Sequence, residues 1–179
     1  MTGVILRSDP EEPAGVRRRE GERLEGRLAT EADSAAIAAL FALPHARGFV
    51  HIPTEEQVRS VIGNADREMW VFERDGEIVG HTMLGMGYGD WLCEVRIVVV
   101  KHPRQGIGAF AMRHAMGRAF AYGAHRMFLE VVERNHGARA LYESLGFTSE
   151  GRYRDGYRDD DGTYENLIPY GILESEYRP

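Results

Sequence analysis

The stretch Val98-Val99-Val100-Lys101-His102-Pro103-Arg104-Gln105-Gly106-Ile107-Gly108-Ala109 constrains this chain more than any other. Its β-branched start favours a strand, and Pro103 and the two glycines stop that strand from continuing. Just beyond, Met112, Ala115, Met116 and Ala119 recur at helical spacing, so Ala109–Tyr122 reads as a helix. Strand, glycine turn and helix in that order point to a layered α/β architecture. Gly106 and Gly108 permit close backbone approach and unusual φ values. The amides around them, at the positive end of the helix dipole, would form a cup for an anion such as diphosphate. The loop has neither the Walker Lys-Ser/Thr nor a third glycine, which sets aside the two better-known phosphate loops. On its own, the turn is equally compatible with a structural role.

A second signature follows at Asn135-His136-Gly137-Ala138-Arg139-Ala140-Leu141-Tyr142-Glu143-Ser144-Leu145-Gly146-Phe147. Asn135 suits a helix cap and Gly146 the left-handed residue after a helix. Ala138, Leu141, Tyr142 and Leu145 share one face. Read in isolation, this is an amphipathic helix with Tyr142 as a core aromatic.

The rest of the chain supplies a sheet. Arg23–Leu28 is a first strand, and Asp33 caps a helix to Leu43 that buries Ile37, Leu40 and Phe41 before Pro44. Thr54, Glu55, Glu56 and Gln57 start a second helix to about Gly63 with a capping box. Met69–Glu73 and Glu77–Met86 flank the tight turn Arg74-Asp75-Gly76, and Tyr88-Gly89-Asp90 is another turn. Trp91–Val100 is a long strand, Arg126–Val132 another, and Tyr153–Tyr157 with Leu167–Leu173 a closing hairpin around Arg158–Gly162. The result is a mixed α/β sheet of the α+β type with helices on its faces. Simple alternation along Trp91–Val100 puts Glu94, Arg96, Val98 and Val100 on one side, and Trp91, Cys93, Val95, Ile97 and Val99 on the other.

Composition bounds the function. The 179 residues suit one domain, taken as 23–179, with 1–22 as a flexible extension rich in Arg, Glu, Gly and Pro. No apolar run is long enough for a membrane span, and Met1–Leu6 gives way to Asp9, Pro10, Glu11 and Glu12, so neither a signal peptide nor a membrane partner is expected. A lone cysteine, Cys93, excludes an intrachain disulfide and a cysteine-rich metal site; a cytoplasmic location is the default. A net charge of −6 argues against a nucleic-acid partner. His45, His51, His81, His102, His114, His125 and His136 show no metal-ligand spacing and are expected mostly on surfaces or loops, so no metal is expected. Asp159-Asp160-Asp161 reads as a solvated turn or as an acidic lip for cationic amines.

Together, the two signatures resemble those of the GCN5-related N-acetyltransferase superfamily. Gly106 and Gly108 match the end of its Gln/Arg-x-x-Gly-x-Gly/Ala loop, although Pro103 stands at the first position and the approach from Val100 is short. Asn135–Phe147 matches its Asn-x-x-Ala-x-x-Leu-Tyr-x-x-x-Gly-Phe segment about 30 residues downstream. The likeness covers roughly 23–175, and Arg152, Tyr157, Asp161-Gly162 and Leu167 look like the spermidine and ribosomal-protein branch. It implies a central, mostly antiparallel sheet, splayed at the cofactor site, with about four helices on its faces. It further implies an acyltransferase enzyme that moves acetyl from acetyl-coenzyme A to a primary amine, in a small molecule or a protein, by direct attack in a ternary complex. Val98, Val99 and Val100 would meet the pantetheine arm; Arg104, Gln105, Gly106, Ile107, Gly108 and Ala109 would hold the diphosphate, with Asn135 nearby. Tyr142 falls where the family places a general acid, and Glu94 matches the strand glutamate that serves as base in one branch. A Glu94–Arg96 surface ion pair is the alternative for Glu94. A silent coenzyme-A-binding module on the same fold is the alternative function, and a homodimer through the last strands is compatible with the family.

Overall fold

Apolar residues on alternating strand positions and on helix stripes require a sheet covered on both sides, and that is the arrangement found. The computed structural model describes residues 24–86, 89 and 91–178. The extension expected at 1–22, and Tyr88 and Asp90 of the second turn, lie outside the described residues. The strands are β1 (Leu24–Leu28), β2 (Arg67–Arg74), β3 (Glu77–Gly85), β4 (Leu92–Val100), β5 (Arg126–Val132), β6 (Thr148–Ser149), β7 (Tyr153–Arg158) and β8 (Tyr164–Leu173). The helices are α1 (Ser34–Phe41), α2 (Glu55–Val61), α3 (Ile107–Ala121) and α4 (His136–Ser144). The strand order is β1-β2-β3-β4-β5-β8-β6, with β7 also paired to β8. Every pairing is antiparallel except β4 with β5. Among the described residues no helix is long and apolar enough to cross a membrane.

Local chemistry sets most boundaries. Asp75 and Gly76 have φ of 51° and 79°, the backbone of a primed two-residue hairpin turn between β2 and β3. At α2 the capping box forms as expected: Gln57 N donates to Thr54 Oγ1 at 3.2 Å, and Thr54 N to Gln57 Oε1 at 2.8 Å. Asp33 behaves differently from expectation. Rather than capping α1 with its side chain, it closes a preceding 3-10 turn, accepting from Thr30 N at 2.7 Å and from the Arg27 fork at 2.7 and 2.8 Å. The Arg27 guanidinium holds the Asp33 carboxyl well below the usual carboxylate range. Helix α1 ends at Phe41, ahead of Pro44, and the short strand β6 carries no sequence sign long enough to read.

Two apolar layers cover the sheet. Met112, Ala115, Met116 and Ala119 of α3 and Tyr142 of α4 pack with Cys93, Val95, Met127, Leu129 and Val131. On the other face Ile37, Leu40 and Phe41 of α1 and Val58 of α2 pack with Met69, Val71, Met83 and Val99.

Of the histidines, His81 is interior and His114 half-buried. His81 on β3 is 1% exposed; its Nδ1–H donates to Trp70 O at 3.1 Å and its Nε2 has no partner. His114 on α3 lies against Trp70, ring centroids 4.2 Å apart. Burial pushes both imidazoles down to about 4. Between the ordinary value of 6.5 and about 4, the unfolded chain therefore takes up protons that the native core refuses. Stability should fall across that window and level off below it as far as these groups are concerned. Urea midpoints measured from pH 7 to pH 4 should decline, and His81→Gln should flatten the decline by about 1–3 kcal/mol. An equal slope in the variant would show that His81 does not contribute.

Candidate active site

The site begins with a break in the sheet. β4 and β5 pair only through Leu92, Cys93 and Glu94 against Arg126, Met127 and Phe128; beyond these the two parallel strands separate. A bulge accompanies the parting. Met83 pairs with Ile97 and Leu84 with Val95, so Arg96 is one extra residue in β4.

The bulge overturns the simple alternation expected for this strand. Cys93 and Val95 pack with α3, whereas Ile97 and Val99 pack with α1 and α2. Glu94 therefore shares a face with Ile97 and Val99, and is separated from Val98 and Val100. Its carboxylate accepts from Arg96 Nη1 at 2.7 Å.

Past the bulge, the backbone of β4 is directed into the gap. Lys101 N donates to Val79 O at 2.7 Å, so alternation turns the polar groups of Val98 and Val100 away from β3. His45 Nε2 reaches Val100 O from the gap side at 2.8 Å. Val99, by contrast, lies opposite His81 in the β3 ladder with its side chain buried. Of the three valines, Val98 directs its backbone groups and Val100 its N–H into the gap, the Val100 carbonyl being taken there by His45, whereas Val99 is bonded into the β3 ladder.

The glycine turn closes one end of the gap. Helix α3 starts at Ile107, two residues earlier than the spacing suggests, with Gly106 at φ 81° as its cap. No atom lies within 4 Å of where a Gly106 Cβ would stand, so the cap is open to an incoming group. The first-turn amides of α3 lack intrahelical acceptors and carry the positive end of the dipole, a fitting seat for diphosphate. Ile107 is buried while Arg104 and Gln105 are exposed; Arg104 has φ 63°, and Gln105 Oε1 accepts from Arg74 Nη1 at 2.9 Å. Gly108 sits in a close approach: a Cβ there would stand 3.3 Å from Leu141 Cδ2 on α4 and 3.9 Å from Val100 Cγ1. Ala109 continues the first turn of α3.

Helix α4 follows β5, with its Leu141 over Gly108. Ala138 N donates to Asn135 Oδ1 at 3.2 Å, which commits the Asn135 oxygen to capping. At the far end Phe147 N donates to Tyr142 O and Gly146 N to Glu143 O, with Gly146 at φ 93°, a Schellman end. Tyr142 is 9% exposed, and its ring lies against Phe147 and Tyr170 with centroids 6.1 and 5.9 Å away. Burial alone pushes its phenol up to about 12. Tyr170 O–H donates to Glu143 Oε1 at 2.6 Å and tethers α4 to β8.

One residue escaped the sequence reading. On β5, Met127, Leu129 and Val131 pack toward α3 and α4, so Phe128 and Glu130 face the side on which Glu94 lies. Burial first, and then the neighbouring charge of Glu94, raises the Glu130 carboxyl above its ordinary value. Period-two alternation in Arg126–Val132 could have marked Glu130, but its proximity to Glu94 needs the parallel register. Cys93 is unsuited to nucleophilic work, since burial pushes its thiol up to about 12. Among the described residues no group of His, Cys, Asp and Glu is arranged to hold a metal ion.

This geometry agrees with what the chain resembles. Residues 36–147 match the acetyltransferase (GNAT) family, more than half of the chain, and the protein belongs to that family. In sequence it is 36% identical over 67 residues to the ribosomal protein bS18-alanine N-acetyltransferase of Escherichia coli K12, 37% of this chain and 45% of that protein. It is 27% identical over 101 residues to a probable N-acetyltransferase 14 of Danio rerio, 55% of this chain and 36% of that protein. The chain thus spans less than half the length of these relatives. In structure, the Vibrio cholerae spermidine N-acetyltransferase in complex with coenzyme A and spermine superposes with a TM-score of 0.76 at 20% identity, covering 86% of this chain and 97% of that one. The Escherichia coli ribosomal-protein-S18-alanine N-acetyltransferase superposes at 0.73 with 22% identity, covering 88% and 96%. At these identities the two structures speak for the fold.

Replacing Gly108 by Val should wedge α4 from α3 through Leu141 and cost about 1–3 kcal/mol, as overpacking does. Thermal melting of Gly108→Val against wild type checks this, and an unchanged midpoint would contradict the close helix contact.

Proposed function

We propose that this protein is an acetyl-coenzyme A-dependent N-acetyltransferase acting on a primary amine by direct attack in a ternary complex. The observation that carries the reading is the gap between β4 and β5, with a buried phenol on one face and a carboxylate pair on the other. Backbone groups of Val98 and Val100 would hold the pantetheine arm, and the Gly106–Ala109 turn at the start of α3 the diphosphate. When bound, acetyl-coenzyme A supplies an activated thioester.

The roles follow from each side chain's surroundings. An alkyl ammonium near pKa 10 must lose a proton before its nitrogen can attack. Glu130, on the Glu94 side of the opening and with its carboxyl raised by partial burial and then by the Glu94 charge, takes that proton. Glu94, already bound by Arg96, keeps the local charge negative and draws the ammonium in. Tyr142 stabilises the departing sulfur. A phenol near 12 facing a thiolate near 8.5 would lose about 5 kcal/mol on full proton transfer, so its main contribution is a donated hydrogen bond.

Release of free thiol from acetyl-coenzyme A across an amine panel tests the reading. Spermidine and an alanine peptide with a free amino group head that panel, because the relatives named above are a spermidine and a ribosomal-protein-alanine N-acetyltransferase. The alternative, a silent coenzyme-A-binding module, draws on the Arg96 contact that occupies Glu94 and on Pro103 in the loop. Tight acetyl-coenzyme A binding with no thiol release from any amine would favour it.

Two variants separate the roles. Tyr142→Phe should lower kcat by about ten- to a thousandfold with acetyl-coenzyme A affinity nearly unchanged, and equal turnover would remove the phenol from the mechanism. Glu130→Gln should lower kcat/KM by about ten- to a hundredfold and abolish the acidic limb of the pH–rate profile. Persistence of that limb in Glu130→Gln but not in Glu94→Gln would transfer the base to Glu94.

A further inference from the structure

The segment between α1 and α2 is fastened at three places. His45 binds Val100 O at the gap, His51 Nδ1 lies 3.4 Å from Asp160 Oδ1, and between them the backbone of Gly48 meets Arg134. Val50 and Ile52 pack into the α1/α2 layer, so this segment lies on the same face as Glu94 and Glu130. Against the turn between β7 and β8 it forms an open groove of about 400 Å³, lined by Arg47, Gly48, Ile52, Asp159, Asp160 and Asp161.

Arg134 stands in the turn between β5 and α4, one residue before the Asn135 cap. Its Nη2 donates to Gly48 O at 2.7 Å and to Asp159 Oδ2 at 3.2 Å, and its Nε pairs with Glu165 on β8. The guanidinium plane also lies over Phe49, 4.6 Å from the ring centroid. One side chain thus joins the α1–α2 segment, the β7–β8 turn and β8 to the start of the helix that carries Tyr142. Gly48 records how close the join is: its φ is 76°, and a Cβ there would stand 3.1 Å from Arg134 Nη2 and 3.2 Å from Asp159 Oδ2.

We propose that Arg134 is a positioning residue for the acceptor amine, holding the 45–52 segment against the β7–β8 turn so that the groove beside the gap keeps its shape. The inference rests on the acetyltransferase reading above. At 41% exposure each ion pair of Arg134 contributes little singly. The planar fork meets a carbonyl, two carboxylates and a ring at once, which a lysine ammonium cannot reproduce. Without it, Asp159 and Glu165 lose their counter-charge beside Asp160 and Asp161, and the two loops separate. None of Arg134's own contacts touches β4 or the Arg104–Ala109 turn, and His45 keeps its separate bond to Val100 O, so coenzyme binding is spared.

The test uses the full chain with and without substrate. In Arg134→Ala, KM for an accepted amine should rise about tenfold or more, with kcat changed by less than about threefold and acetyl-coenzyme A affinity within about twofold by calorimetry. Amide exchange over residues 47–52 should accelerate about tenfold in the free protein. Arg134→Lys should recover less than half of either effect, and Phe49→Ala, which keeps the ion pairs, should fall between. Unchanged exchange and unchanged KM overturn the proposal, as does an equal loss of coenzyme affinity, which would mean general damage to the fold. If wild type releases no thiol with any amine, the transferase reading is what fails; the exchange data then decide the role of Arg134, and exchange equal to wild type overturns it.

Discussion

The separation of β4 and β5 is the constraint on which the rest of this structure depends. Two parallel neighbours in a buried sheet would ordinarily extend their ladder, because unpaired backbone groups in an interior are costly. Here the ladder stops after Glu94 and Phe128. Two features keep it from closing. The extra residue at Arg96 strengthens the local twist of β4 away from its neighbour. Leu141 of α4 lies over Gly108 at the start of α3, next to Val100 where β4 ends, so side chains occupy that end of the opening. The opening stays confined to one seam because β5 is fully paired on its other side, Arg126–Val132 against Leu173–Leu167 of β8.

In the proposed mechanism, an opening of this kind lets two unlike environments act on one reacting centre. The phenol of Tyr142 comes from a dry layer and is shifted by burial alone. Glu130 comes from the wetter face and is shifted by partial burial together with the charge of Glu94. Both shifts raise the affinity for protons, with opposite consequences. The phenol remains a hydrogen-bond donor throughout the physiological range, and the carboxylate becomes a better acceptor. A sheet with an intact ladder would keep these groups on opposite sides of a backbone wall.

Much of this was legible in the sequence because it is local. Asn135 and Gly146 bracket α4, Thr54 and Gln57 cap α2, and Asp75-Gly76 turns the first hairpin, each through contacts within a few residues. The helix stripe Met112, Ala115, Met116 and Ala119 is buried as its spacing requires. What was not legible is either a single-residue irregularity or a contact between distant segments. Val95 to Val100 suits either face of a sheet, so nothing in its composition marks Arg96 as the extra residue. Glu130 stands out only once the register of β4 and β5 is known. Arg134 meets Gly48 from 86 positions away, and the interior place of His81 and the half-buried one of His114 depend on the Trp70 they both touch.

The bulge also explains why a strand glutamate so close to the opening is not itself in the dry layer. With unbroken alternation Glu94 would share a face with Val98, which packs toward α3. There it would be a carboxylate among apolar side chains near a buried phenol, and it would need a fully desolvated counter-ion. The additional residue sends Glu94 to the opposite face, where a half-exposed Arg96 suffices as partner and where Glu130 can feel its charge. The same irregularity thus also segregates the phenol proposed as proton donor from the carboxylates proposed to take a proton. Restoring a regular β4 would alter both at once, which is why the register of this one strand matters more to the site than the identity of any side chain in it.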